Sequence, residues 1–400
     1  MTIKSVLSVV VLAALATQAS QAQALTVKQI VDAAVGPRLD SSGNRRYVGV
    51  AVGVIKNGSR YQFHYGEAVR GTNTPSNYLT YFAIGSVTKT FTATLLALYD
   101  HRGVVSLSTK LDDITPYPLG GARTQIKLED LATHHSGLTR DPPGGDSAYQ
   151  LGSYSQDMDA LMDSLATCTT ANPCSSPIPA TSSDSYSNYA FAVLAKVLAK
   201  YWASGATVLE ALHGEIFAEV GMYNTGDKYD LTDAGCDPNS CSWGDYGSCS
   251  YATGACHKTF STRAAVGYEA DNTTRTSSIG SDDNVKAGSG TMWSTIDDML
   301  IWLGYNMGLK YNYWNQEYLD ILPVLHTPRV DDSMGLAWRT VSVSGGLTAV
   351  AKSGSVTGFN SYIAWIPGTG GAASTTGVIV LVNSEDFSAG DLALDLLANL

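Results

Sequence analysis

Apolar and polar positions follow two different rhythms along this chain. Leu25–Val35 repeats its apolar residues at helical spacing and predicts a short amphipathic helix. Tyr47–Ile55 sets valines beside small residues, and Asn57-Gly58 leads from it into Ser59–Tyr65. Asn-Gly between two such runs predicts a tight hairpin, since both positions accept positive φ. Near the other terminus, Leu347–Ser353, Phe359–Ile366 and Gly377–Val382 predict three short strands separated by Gly- and Pro-rich turns, and Asp391–Leu397 predicts a closing helix. The middle is helical in period: Ser86–His101, Leu128–Thr133, Met158–Leu165, Tyr189–Tyr201, Thr207–Val220 and Ser294–Asn306. Strands at both ends around a helical middle predict an α+β fold, one antiparallel sheet built from the two chain ends, flanked by helices, with a mainly helical region inserted. The expected division is a sheet domain over 25–85 plus 330–400 and a helical domain over 86–329. Thr169–Ser187 and Gly235–Ser281, rich in Ser, Gly, Asn and Cys, are expected to be loops.

The first residues change this picture because they lie outside the fold. Lys4 precedes the apolar run Val6–Ala16, and small and polar residues follow up to Ala22-Gln23-Ala24. That order predicts a secretory signal peptide over residues 1–24, cleaved after Ala24, and hence a secreted or periplasmic protein. The run falls short of the ~20 residues that a membrane span needs, so no stable membrane anchor is expected. A net charge of −11 over 400 residues offers nothing general to nucleic acid. Six cysteines, Cys168, Cys174, Cys236, Cys241, Cys249 and Cys256, fit an oxidising compartment. Their spacing lacks the paired C-x₂-C of a zinc site, which favours three disulfides among the roughly 15 possible pairings.

Candidate chemistry sits where the first apolar stretch turns into helix. Ser86 is the only serine with a lysine three residues on, Lys89, and positions i and i+3 share a helix face. A hydroxyl beside an amine near a helix N-terminus has the makings of an activated nucleophile. Tyr186-Ser187-Asn188 precedes another predicted helix; the phenol could relay a proton and the amide could orient a substrate. Tyr313-Trp314-Asn315 repeats the spacing, within an aromatic cluster with Tyr311 and Tyr318 that reads as packing. Lys352-Ser353-Gly354 lies on a predicted strand, where the lysine and the hydroxyl could hold a carboxylate and Gly354 would admit a ligand close to the backbone. His135-Ser136-Gly137 is a looser match in a predicted loop. No serine has glycine at both −2 and +2, and the seven histidines form no His-x-x-x-His pair, so neither a nucleophile elbow nor a metal-hydrolase helix is indicated.

In this order the three elements resemble the signature of the penicillin-recognising serine hydrolases. Tyr-x-Asn in the middle element is similar to the class C β-lactamase/DD-peptidase branch. So are Leu131-Ala-Thr-His-His-Ser-Gly-Leu138, Gly221-Met-Tyr-Asn-Thr225, Ala287–Met299 and Gly335-Leu-Ala-Trp338. Leu131–Gly145 and Tyr186–Ala195 look most like the periplasmic class C-type penicillin-binding DD-carboxypeptidase/endopeptidases. The resemblance implies a β-lactamase/transpeptidase-like fold and acyl transfer through Ser86, with Lys89 and Tyr186 as the proton-handling pair. It leaves open which of the two is the base. It further implies an oxyanion hole from the backbone N–H groups of Ser86 and Ser355, and substrate binding by Asn188, Lys352, Ser353 and Gly354. His134 and His135 would lie in a structural segment, and no metal or organic cofactor would be required. Ser353 stands where the family usually carries threonine. Peptides with D-residues, or other unusual peptides, are the first expected substrates. A class C-type β-lactamase, a family VIII-type carboxylesterase and a non-catalytic penicillin-binding sensor are the alternatives, in that order.

Overall fold

A computed structural model describes residues 25–38, 47–115, 119, 121–141, 186–204, 206–227, 263–276, 286–309, 315–329, 333–368 and 375–400. The predicted leader over 1–24, the helix expected at Met158–Leu165, the aromatic residues Tyr311, Tyr313 and Trp314, and all six cysteines lie outside the described residues.

Two chain ends meet in one antiparallel sheet. Its strands are β1 (Gly49–Lys56), β2 (Ser59–Gly66), β5 (Arg339–Val343), β6 (Leu347–Val356), β7 (Phe359–Ile366) and β8 (Thr376–Val382), in the order β2-β1-β8-β7-β6-β5. A separate two-stranded pair joins β3 (Phe82–Ala83) to β4 (Trp293–Ser294). β1 and β8 close the sheet between N- and C-terminal segments, with Val50 opposite Val382 and Val54 opposite Val378. The hairpin turns at Asn57-Gly58, both with positive φ, as Asn-Gly predicts.

Both faces of the central strands are covered, which explains the continuous apolar run at β1. Val50, Val52 and Val54 pack with Val378, Val380, Leu392 and Leu396 against helices α1 (Val27–Val35) and α5 (Ala389–Asn399). Ala51, Ile55, Ile379 and Leu381 point the other way into a second core. That core continues without a break through α2 (Lys89–His101), α3 (Asn188–Trp202) and α4 (Ile296–Asn306), so the inserted helices and the sheet are packed as one body.

Local signals set the helix starts. Ser187 caps α3 by accepting from the Ala190 N–H, and Thr295 caps α4 by accepting from Asp298 N–H. The helix expected from Ser86 instead begins with a 3₁₀ turn over Gly85–Thr88, and α-helical bonding starts at Lys89. Thr207–Val220 is broken into Val208–Leu212, a π turn over His213–Phe217 and Ala218–Val220. β5 was not expected, since only Val341 and Val343 are apolar in this half-exposed edge strand.

Candidate active site

The turn bearing Ser86 is wedged between a strand and a helix. Gly85 has φ +51, and a Cβ there would stand 2.6 Å from the Ser355 backbone nitrogen. At Gly354 the crowding is tighter: a Cβ would lie 2.1 Å from the Ile84 carbonyl oxygen and 2.3 Å from Ser361 Oγ. The close approach to the Gly354 backbone is thus made by the protein's own Ser86 turn. Ser361 Oγ donates to that same Ile84 carbonyl over 2.8 Å, pinning turn to sheet.

In a 3₁₀ turn residues three apart eclipse one another, which puts the Lys89 side chain directly under Ser86. Lys89 is fully buried. Its Nζ donates to Ser86 Oγ at 3.0 Å, to Asn188 Oδ1 at 2.7 Å and to the Ser289 carbonyl at 2.5 Å. The Tyr186 hydroxyl donates to Ser86 Oγ at 2.6 Å. Asn188 is the first residue of α3, and its backbone N–H and that of Tyr189 both donate to the Arg140 carbonyl. Asn188 Nδ2 donates to Asp141 Oδ1 at 3.1 Å, which turns Oδ1 towards Lys89.

β6 closes the other side. Lys352 is buried, with Nζ 5.1 Å from the Tyr186 ring centroid, while Ser353 and Ser355 alternate onto the exposed face. β5 pairs with Leu347–Ala351 and stops, so beyond Ala351 no described strand lies along that edge of β6. An extended chain could add itself there.

The charges are one-sided. Lys89, Lys352, Arg140 and Arg339 surround the site, and Asp141 is the carboxylate among the described residues that opposes them. Burial, then Lys352 and Arg140, holds the Lys89 amine well below the ordinary lysine range. Burial, then Arg339, lowers Lys352 to about 7. Burial pushes the Tyr186 phenol up to about 12 against the opposing pull of Ser86 and Arg140.

Ser86, Lys89, Tyr186, Asn188, Lys352 and the strand carrying Ser353, Gly354 and Ser355, singled out from the sequence, converge on one cleft. Asp141, Arg339 and the Ser289 carbonyl were not singled out. A backbone acceptor has no side-chain signature, and Asp141 and Arg339 follow no spacing rule.

Residues 25–240 match the beta-lactamase family model. The chain belongs to the beta-lactamase family. It is 35% identical to a beta-lactamase of Pseudomonas fluorescens over 114 residues, which are 28% of this chain and 31% of that protein. The match thus spans about a third of that relative's length. A longer match joins it to the D-alanyl-D-alanine-carboxypeptidase/endopeptidase AmpH of Escherichia coli strain K12. There the identity is 27% over 339 residues, 80% of this chain and 76% of that protein. Among solved structures, a class C beta-lactamase superposes with a TM-score of 0.71 at 20% identity, covering 94% of this chain and 96% of that one. This shows that the family member in hand has the class C beta-lactamase fold.

Proposed function

We propose that this beta-lactamase family member is a serine hydrolase that cleaves amide bonds of peptides containing D-residues through an acyl-enzyme on Ser86. One observation carries the reading: Lys89, Tyr186 and Asn188 converge by hydrogen bonds on and beneath Ser86 Oγ, next to an open strand edge with a buried cation. The length of the match to the E. coli carboxypeptidase/endopeptidase supports a peptidase. The higher identity to the P. fluorescens beta-lactamase supports β-lactam hydrolysis as the second reading.

Hydrogen-bond accounting assigns the proton path. Asn188 Oδ1 and the Ser289 carbonyl can only accept, so in the neutral form Lys89 keeps both N–H groups on them and its contact with Ser86 reverses, the lone pair accepting from the hydroxyl. Lys89 takes the Ser86 proton as Oγ bonds to the substrate carbonyl carbon. Tyr186, protonated at neutral pH, delivers a proton to the departing amine as the C–N bond breaks and regains one from Lys89. Backbone N–H groups of Ser86 and Ser355 would hold the oxyanion, and Lys352 with Ser353 the terminal carboxylate. Water then cleaves the ester. Secretion accounts for the leader over 1–24 and for disulfides among the six cysteines.

The test follows intact mass over minutes after adding benzylpenicillin, with Ser86→Ala as the control that takes no adduct, beside D-alanine release from peptides ending in D-Ala-D-Ala. A long-lived adduct with D-alanine release is expected. Fast penicillin loss without an adduct would establish the β-lactamase reading, and no adduct with no turnover would overturn both.

A pH effect follows from Lys352. Only its ammonium form attracts a carboxylate, so with its pKa near 7 the KM for carboxylate-ended substrates should rise above pH 7, approaching tenfold per unit, by ordinary titration of one group. Arg339→Ala removes a repelling cation and should move that limb to higher pH. The same shift makes the unfolded chain hold more protons between about 7 and the ordinary 10.5, so this group's contribution to stability rises with pH across that window. KM profiles of the two proteins check it; superimposable profiles would refute the assignment.

A further inference from the structure

The helix Leu128–Ala132 ends in a way that its sequence makes expensive. His135 N–H donates to the Asp130 carbonyl at 2.8 Å, the six-to-one bond of a Schellman cap, and the residue that must turn left-handed for it is His134, with φ +62. Glycine is the usual occupant of that position because it has no Cβ to strain. A histidine kept there needs a use for its side chain, and the structure shows where that side chain goes.

The His134 ring is buried, with centroids 4.2 Å from the Tyr186 ring at 34° and 5.0 Å from Phe191. Its Nδ1 accepts the Ser187 backbone N–H at 3.1 Å. That acceptor role fixes the neutral Nε2–H tautomer, and Nε2 has no partner among the described residues. Burial, then Lys352, Lys89 and Arg339, keeps the imidazole uncharged.

We infer that His134 is a positioning residue for Tyr186: its ring backs the phenol and its Nδ1 anchors the next peptide, so that the Tyr186 hydroxyl meets Ser86 Oγ. Tyr186 is not held by a regular element on its own account. It is two residues ahead of the first turn of α3, and its ring is otherwise approached by the cations Lys89, Lys352 and Arg140 at 4.9–5.2 Å. The tilted imidazole, anchored by the Ser187 N–H, is the face against which the phenol is set. This role rests on the proposed acyl transfer through Ser86 and goes beyond the structural role that the family resemblance implies for this segment.

His134→Gly tests it, because glycine relieves the left-handed backbone while deleting the ring. His134→Asn serves beside it, since asparagine tolerates the same backbone and keeps a side-chain acceptor for Ser187. Acylation by benzylpenicillin should slow about 10²-fold in His134→Gly, the cost of a misplacement near 1 Å, with the KM changed far less than the rate. Added imidazole, filling the vacated space, should restore part of the rate. His134→Asn should fall in between. In a crystal structure of His134→Gly the Tyr186 hydroxyl should leave hydrogen-bond distance of Ser86. Wild-type rates in folded His134→Gly, or an unchanged Tyr186–Ser86 contact, would overturn the inference. Absence of acylation in the wild type would instead sink the proposed chemistry, and the crystal structure would still decide the positioning role.

Discussion

Replacing Lys89 with alanine should slow acylation of Ser86 by about 10³-fold, within the range by which a positioned proton acceptor accelerates a reaction. Lys89 is the group whose surroundings specify a neutral amine. It is fully buried, Lys352 and Arg140 repel its ammonium form, and two obligate acceptors consume its N–H groups. Lys89→Arg separates this from simple electrostatics. Arginine would keep the charge but cannot give up its proton in a protein, so it should fail as badly as alanine. If the lysine acted only as a fixed cation beside Ser86, arginine would retain much of the rate. Stability should move little, because two effects oppose. Removing the lysine ends the cost of burying an amine, while Asn188 Oδ1 and the Ser289 carbonyl lose a donor at about 1–3 kcal/mol each. Rapid-quench mass spectrometry of the acyl-enzyme, read with a thermal melt, checks both parts.

The fold and the site were legible in the sequence to different depths. The sheet could be read where a strand is buried by its own residues or set by a turn: β1 is a valine run, Asn57-Gly58 turns it into the half-exposed β2, and β7 begins and ends at the predicted residues. β5 escaped because an edge strand needs apolar residues on only part of one face. Ser86 and Lys89 could be paired because their spacing is a local property, valid for a 3₁₀ turn as for an α-helix. The joining of Tyr186 and Asn188 to that pair is not local: the hydroxyls of Ser86 and Tyr186 are 100 positions apart in the chain and 2.6 Å apart in space. Only the likeness of the three motifs to a known set brought them together before the fold was known. What no motif assigned a role in the site were the residues that act through others. Asp141 orients an amide, Arg339 lowers a neighbour's pKa, Ser289 offers a carbonyl, and His134 backs a ring. Their effects depend on distances across elements, to which composition and periodicity are blind.

Gly354→Ala should both destabilise the protein and slow acylation. Its Cβ would stand 2.1 Å from the Ile84 carbonyl oxygen, a backbone atom that also accepts from Val87 N–H and from Ser361 Oγ. That backbone oxygen cannot turn aside without breaking both bonds. β6 cannot slide sideways either, because Gly354 is paired in register with Ser361 of β7. The strand has to lift off the Ser86 turn, and overpacking of this kind costs about 3 kcal/mol at the upper end of its usual range. The lift separates Ser355 N–H from Ser86 N–H, the two donors proposed for the oxyanion. A displacement near 1 Å should then cost at least about 10²-fold in acylation, beyond any loss of folded protein. Ser353→Ala, one residue away on the exposed face, serves as the contrast: it adds no bulk and should leave the melting temperature near wild type while weakening carboxylate binding. Measuring both variants by thermal melt and by acylation rate per folded molecule distinguishes the roles. A Gly354→Ala protein that is less stable yet acylates at the wild-type rate would show that the turn and β6 can part without loss. The oxyanion would then have to be held elsewhere than between Ser86 and Ser355.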